Sequence, residues 1–110
     1  MNKIEREMHG VLLKLKDNGA IAVKAEFEAE GTRTEELLRL LDIARKASTD
    51  VALKVGGCEA VKDLIEAKQF GVDYIIAPMV ETSYALQKFI QAKNRVFFEN
   101  VVIQYIYFIF

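Results

Sequence analysis

The sequence lacks features that would point to a secreted or membrane protein. One cysteine, Cys58, occurs in 110 residues, which excludes an internal disulfide and is typical of the reducing cytoplasm. No run of apolar residues reaches the ~20 residues that a membrane helix needs. Charged residues occur throughout positions 1–8, so no secretory signal is predicted there. We therefore expect a cytoplasmic protein without a membrane partner.

The sequence also lacks an excess of charge of one sign. Lysine and arginine total 15 and aspartate and glutamate total 16, for a net charge of -1. Both signs are spread along the chain. A nucleic-acid-binding surface needs a basic patch or stripe, and none is visible. Nucleic acid is therefore not an expected partner.

Segments typical of strands and of helices alternate along the sequence. Strands are predicted from apolar alternation or short apolar runs at residues 20–28, 51–55 and 72–77, and Pro78 is expected to end the third. Apolar residues at helical spacing predict helices at residues 4–17, 33–47, 58–70 and 82–93. Thr32 and Glu35 are spaced as a capping box for the second helix. Three successive βα units predict a parallel sheet with right-handed crossovers.

The polar residues within the strands favour a barrel over an open sheet. An open parallel sheet is covered by helices on both faces, so its strands are apolar throughout. Here one face of the first strand carries Lys24, Glu26 and Glu28, and the second strand carries Lys54. Such a face suits the lumen of a (β/α)8 (TIM) barrel near its active mouth. Because a whole barrel needs ~250 residues, we expect a partial barrel; a doubly wound open sheet is the alternative.

Charged candidates lie at the strand ends, where barrels place their catalytic groups. Glu26 and Glu28 are two residues apart, so they point the same way and could act as a general base or attract a divalent cation. Alternatively, Lys24 and Lys54 neutralise them in salt bridges. Lys54 could bind a substrate carboxylate, and either lysine could form a Schiff base if desolvation lowered its pKa.

Other candidates follow the second and third strands. Gly56 and Gly57 lead into a predicted helix, where converging N–H groups could bind an anion, although two glycines also form a tight turn. Cys58 lies at the predicted helix start, which favours a thiolate. No histidine is near it in the sequence, so we interpret Cys58 as a small structural residue. Glu81 follows the third strand.

Three segments resemble one enzyme family. They are residues 23–33 (VKAEFEAEGTR), 53–60 (LKVGGCEA) and 76–81 (IAPMVE). In order and spacing they are similar to the first half of the HpcH/HpaI aldolase and citrate lyase family, over about Met8 to Lys93. The resemblance implies a (β/α)8 barrel that cleaves or forms carbon–carbon bonds next to a carboxylate, through an enolate held on Mg²⁺ or another divalent ion. The implied substrates are small keto acids or acyl-CoA thioesters.

The resemblance also suggests site roles, with departures. Lys54 lies where members have an arginine that grips the substrate, but lysine lacks the bidentate fork. Ala29 stands where aldolases carry a catalytic histidine, and the family's two acidic metal ligands have no counterpart in residues 95–110. We therefore expect a lyase fragment that is inactive by itself. The candidates are Glu26, Glu28 and Lys54 as catalytic residues, Lys24, Gly56, Gly57 and Glu81 as substrate-binding residues, and no metal ligand.

The sequence from residue 95 onward departs from the βα pattern. Gln104 is the sole polar residue in positions 101–110. This segment is either a genuine fourth strand or a frameshifted read-through, so we divide the chain into a barrel-like domain at 1–94 and an atypical tail at 95–110. An open sheet edge and an apolar tail both favour a homo-oligomer. A non-catalytic self-associating or partner-binding partial barrel is therefore a second functional hypothesis.

Overall fold

A computed structural model describes residues 1–27 and 31–97, together with the backbone of 104–109. Helices and strands alternate within these residues, in the order α1 (Lys3–Asp17), β1 (Ala22–Glu26), α2 (Thr34–Lys46), β2 (Asp50–Lys54), α3 (Val61–Phe70), β3 (Tyr74–Val80), α4 (Ser83–Val96) and β4 (Gln104–Ile109). The strands form one parallel sheet in the order β1-β2-β3-β4. The predicted α/β class and parallel sheet are thus confirmed.

One face of the sheet is apolar and is covered by the helices. Ala25, Leu53 and Ile75 are in register on neighbouring strands, and all three are buried. They belong to a single core cluster with inward-facing residues from every described helix, namely Leu12, Leu37, Leu41, Ile43, Ala44, Leu64, Ala67, Phe89, Ala92 and Val96. Burial of these side chains is the main favourable contribution to folding.

The opposite face of the sheet carries the polar side chains. Lys24 and Glu26 of β1 alternate with the buried Ala25, and Lys54 of β2 lies beside Glu26 in register. Ala52 and Ile76 are buried on this face too, but they lie outside the core cluster. The alternation of the first two strands therefore has the predicted phase.

Two predicted helix starts are wrong. Helix α2 has Arg33 as its N-cap, without a side-chain cap bond, so the expected capping box of Thr32 and Glu35 does not form. Instead the Thr32 N–H donates to the Glu26 carbonyl at 3.2 Å, which ties the loop back to β1. Helix α3 begins at Val61 rather than at Cys58. Each start depends on contacts of the preceding loop that sequence spacing does not contain.

Pro78 does not end the third strand as predicted. Strand β3 continues to Val80, and its pairing with β4 shifts register between Ala77 and Val80. Met79 has a φ of 44° in this irregular segment. A bulge accommodates proline because its missing N–H is not needed for the ladder there. The result is an exposed Met79 side chain at the strand end.

Part of the atypical tail joins the sheet. Strand β4 runs parallel to β3, with Tyr74 opposite Gln104 and Val80 opposite Ile109. The structure does not describe the side chains of this strand, nor residues 98–103 and 110.

The described helices include none that is long and apolar enough to cross a bilayer.

We expect Gly71→Ala to lower the free energy of unfolding by about 1–2 kcal/mol, because Gly71 ends α3 in the left-handed region. Its φ is +76°, and a Cβ there would approach Arg45 Nη2 at 3.1 Å. Arg45 also donates to the Phe70 carbonyl at this helix end. Gly10→Ala, in open space on α1, is the control and should raise stability by roughly 0.5–1 kcal/mol. Urea denaturation measures both, and equal stability of Gly71→Ala and wild type would contradict the assignment.

Candidate functional site

Three charged side chains meet where β1 and β2 end. Glu26 and Lys54 are register partners at the C-terminal ends of these strands. Lys54 Nζ lies 2.9 Å from Glu26 Oε1, and Lys24 Nζ lies 3.2 Å from Glu26 Oε2. We call these three residues the Glu26 cluster. The prediction that they share one face of the sheet is confirmed.

The Glu26 cluster joins a buried carboxylate to two more accessible ammonium groups. The Glu26 side chain is 8% exposed, whereas those of Lys54 and Lys24 are 25% and 47% exposed. Because the positive ends are the accessible ones, the cluster presents cationic groups to a ligand and keeps its carboxylate beneath them.

Hydrogen bonds from the lysines keep Glu26 ionised. The bond from Lys54 is the largest cause that holds the pKa of Glu26 below its ordinary value of 4.5, followed by the bond from Lys24, and together they outweigh burial. A general base near neutral pH needs a raised carboxyl pKa, so the shift runs in the opposite direction to that hypothesis. The observed contacts of Glu26 are therefore those of the alternative prediction, in which Lys24 and Lys54 neutralise it in salt bridges. Its predicted companion Glu28, like Ala29, lies outside the described residues.

The glycine turn differs from the expected anion site. The Gly56 N–H donates to Asp63 Oδ2 at 2.7 Å, so a carboxylate already occupies this donor. Since α3 begins at Val61, the two glycines do not form its N-terminus. The Gly57 carbonyl instead accepts from the Ala60 N–H at 3.2 Å. This geometry is that of a tight turn fastened to α3, and a substrate-binding role for the glycines stays a prediction.

Cys58 and Glu81 flank this region. The Cys58 thiol lies 3.6 Å from the Pro78 carbonyl oxygen, to which it donates. Burial raises the pKa of Cys58, and the nearby Glu59 adds to the effect. A raised pKa disfavours the thiolate, in agreement with a structural interpretation of Cys58. Glu81 is exposed just beyond β3.

Sequence reasoning missed an aspartate pair that joins β2 to β3. Tyr74 OH donates to Asp50 Oδ2 at 3.3 Å, and the Val51 N–H donates to Asp73 Oδ2 at 2.9 Å. Burial and then Asp50 raise the pKa of Tyr74. Aspartates at or just before the starts of two adjacent strands were the available signal. They lie at the opposite end of the sheet from the Glu26 cluster, so we assign them a structural role.

The described residues do not fit a Mg²⁺ site. In residues 1–27 and 31–97, no three carboxylate, thiol or imidazole side chains converge on one point. Mg²⁺ requires several oxygen ligands in octahedral geometry. The carboxylate of Glu26 has both oxygens bound to lysines. The Glu26 cluster therefore lacks the set of oxygen ligands that Mg²⁺ would need.

No family model matches this chain, and no curated protein is significantly similar to it. The resemblance to aldolases and citrate lyases therefore depends on its three segments.

We expect Lys54→Met to raise the pKa of Glu26 more than Lys24→Met does, because the Lys54 bond is the larger cause of the lowering. Carboxyl ¹³C shifts of Glu26, followed from pH 7 downward, measure both. A pKa at or above 4.5 in the wild type would contradict the geometry.

The same shift makes stability depend on pH. A lowered pKa contributes stability that is complete above the unfolded-state pKa and is lost as pH falls through the folded-state pKa. Glu26→Gln should therefore destabilise the chain at pH 7, and its difference from wild type should shrink below about pH 4.3. Glu81→Gln at an exposed position is the control, with no difference expected at either pH.

We expect the Cys58 thiol to react slowly with a disulfide reagent in the folded chain at pH 8. Burial both shields the sulfur and raises its pKa, and the thiolate is the reactive form. Absorbance of the released thiolate measures the rate. The control is the same reaction in about 8 M urea, which unfolds the chain. Equal rates in the two conditions would show that Cys58 is accessible.

Proposed function

We propose that the chain is part of a (β/α)8 barrel of the aldolase and citrate lyase kind, and that its Glu26 cluster binds the carboxylate of a small keto acid or acyl-CoA thioester. The observation that carries this proposal is the partly exposed Lys54 ammonium group, which Glu26 holds at the C-terminal ends of β1 and β2. Substrates of barrel enzymes bind at this end of the strands.

The strand order supports the barrel part of the proposal. A doubly wound sheet reverses its strand order and places helices on both faces. Here the order is sequential, and the described helices contribute to one core cluster with one face of the sheet. Repetition of this βα unit, with the polar face turned inward, is the way in which a barrel closes.

Lys54 is the residue that we propose to contact the substrate. An ammonium group has three N–H donors, so Lys54 can keep its bond to Glu26 while it donates to a substrate carboxylate. Glu26 then acts as a positioning residue that fixes the lysine side chain. Lys24, on β1, contacts the other carboxylate oxygen of Glu26 and adds positive charge. Glu28 and Glu81 stay predicted site residues, because the sequence puts them at the ends of the first and third predicted strands.

Carbon–carbon bond cleavage is not assigned to the described residues. The resemblance implies an enolate on Mg²⁺, and the ligands for that ion are not among them. The Schiff-base alternative is less favoured, because the Nζ atoms of Lys24 and Lys54 already lie 3.2 Å and 2.9 Å from the Glu26 carboxylate oxygens. Binding of a carboxylate requires only the charged ammonium. A non-catalytic role as a self-associating or partner-binding module is compatible with the same geometry.

We expect pyruvate and oxaloacetate to bind weakly at the strand ends, and Lys54→Met to weaken binding about 10- to 100-fold, because a hydrogen bond to a charged group is lost. Lysine side-chain NMR shifts during titration measure the affinity. Lys62→Met, at an exposed position of α3, removes the same charge elsewhere and should leave binding unchanged.

Borohydride added with pyruvate separates the two lysine hypotheses. Carboxylate binding predicts no mass adduct, whereas an adduct on Lys24 or Lys54 would establish the Schiff base. If Lys54→Met and Lys62→Met weakened pyruvate binding equally, the binding would depend on overall charge and not on a site at Lys54. The proposal would then be wrong.

A further inference from the structure

Helix α1 carries an apolar stripe that the rest of the chain covers only in part. Leu12 is buried in the core, and Met8 packs against it. Ile4, Val11 and Leu15, on the neighbouring side of the helix, are 59%, 56% and 45% exposed. These three lie on one face because they are spaced at helical repeats. Three large apolar side chains exposed on one helix face form a candidate interaction surface.

A groove runs along the stripe, and charged side chains lie at its outer edge. The groove has a volume of about 330 Å³ and lies between α1 and α2, lined by Ile4, Glu7, Met8, Val11, Leu12 and Leu40. Glu7 and Lys14 are both exposed and lie one heptad apart along the outer edge of the stripe. A partner on this surface therefore meets apolar side chains first and one acidic and one basic side chain at the rim.

We propose that α1 packs antiparallel against α1 of a second copy of this chain. Ile4, Met8, Val11 and Leu15 follow the alternating spacing of four and three residues that forms a coiled-coil seam. With Met8 opposite the partner's Val11, Ile4 lies opposite the partner's Leu15. The symmetry axis then passes close to residues 9 and 10, and the contact is self-complementary, as a two-fold dimer requires.

The flanking charges select the antiparallel direction. In this register Glu7 meets the partner's Lys14, and by symmetry Lys14 meets the partner's Glu7. In a parallel pair, by contrast, the same positions would face Leu12 and Gly19, which offer no charge. The opposite charges at the rim therefore complement a second copy in one orientation, and side chains of the second copy can enter the groove beside α2.

A membrane surface is a poorer match for the same stripe. Helices that lie on membranes carry a strongly basic polar face. Helix α1 has lysine or arginine at four positions and glutamate or aspartate at three, with Glu7 directly beside the apolar residues. This near balance provides little attraction to anionic lipid and suits pairing with a surface of the same composition.

Charge exchange in the full-length chain tests the proposal. Glu7→Lys and Lys14→Glu each turn two attractive contacts into repulsive ones, so each should raise the dimer dissociation constant by at least about tenfold. The double variant Glu7→Lys/Lys14→Glu restores both pairs with the partners exchanged. Its dissociation constant should return to within about threefold of the wild-type value. Sedimentation equilibrium measures each constant.

A second pair of variants tests the apolar seam. Val11→Lys should abolish the dimer, whereas Leu13→Lys, at a 42% exposed leucine on the opposite side of α1, should leave it intact. Circular dichroism melts establish that every variant is folded. A monomeric wild type, association that persists in Val11→Lys, or a double charge variant that fails to recover would each overturn the proposal. Co-sedimentation of a monomeric wild type with anionic phospholipid vesicles would assign the stripe to a membrane surface instead.

Discussion

The helices of this chain bury one face of a parallel sheet, and the arrangement of the other groups follows from that burial. Ala25, Leu53 and Ile75 are in register and lie beneath the helices. Side chains alternate across a strand, so the residues that flank each of these three along its own strand must lie on the opposite face. In β1 and β2 these include Lys24, Glu26 and Lys54. Burial of the apolar face thus places the three charged side chains together on the other face, although none of them belongs to the core cluster.

A carboxylate that is 8% exposed requires compensation, and the two lysines supply it. Taking a charge out of water is unfavourable unless the charge is paired and hydrogen-bonded. Glu26 satisfies this condition with one lysine on each oxygen. The pairing keeps the acid ionised and the ammonium groups oriented, which suits the binding of an anion. The same pairing lowers the pKa of Glu26 and so suits it poorly to proton transfer near neutral pH.

In the loops after β1 and β2, two backbone N–H groups are bound by acceptors within the chain. Asp63 accepts from Gly56, and the Glu26 carbonyl accepts from Thr32. Beyond Ala77, a shift of register lets β3 pass Pro78 and exposes Met79. These contacts give the strand ends a defined shape, and they leave the lysines as the accessible cationic groups of the Glu26 cluster.

The sequence by itself determined the order of the four helices and of β1, β2 and β3, and the face on which each residue of β1 and β2 lies, because both depend on local periodicity. It also brought Lys24, Glu26 and Lys54 to one face. The tertiary structure decided which of them touch, since the β1–β2 register sets Glu26 beside Lys54. It also decided that α3 starts at Val61 and that β3 continues past Pro78. Helix starts, bulges and the partners of loop N–H groups depend on residues that are distant in the sequence. Local spacing therefore cannot predict them.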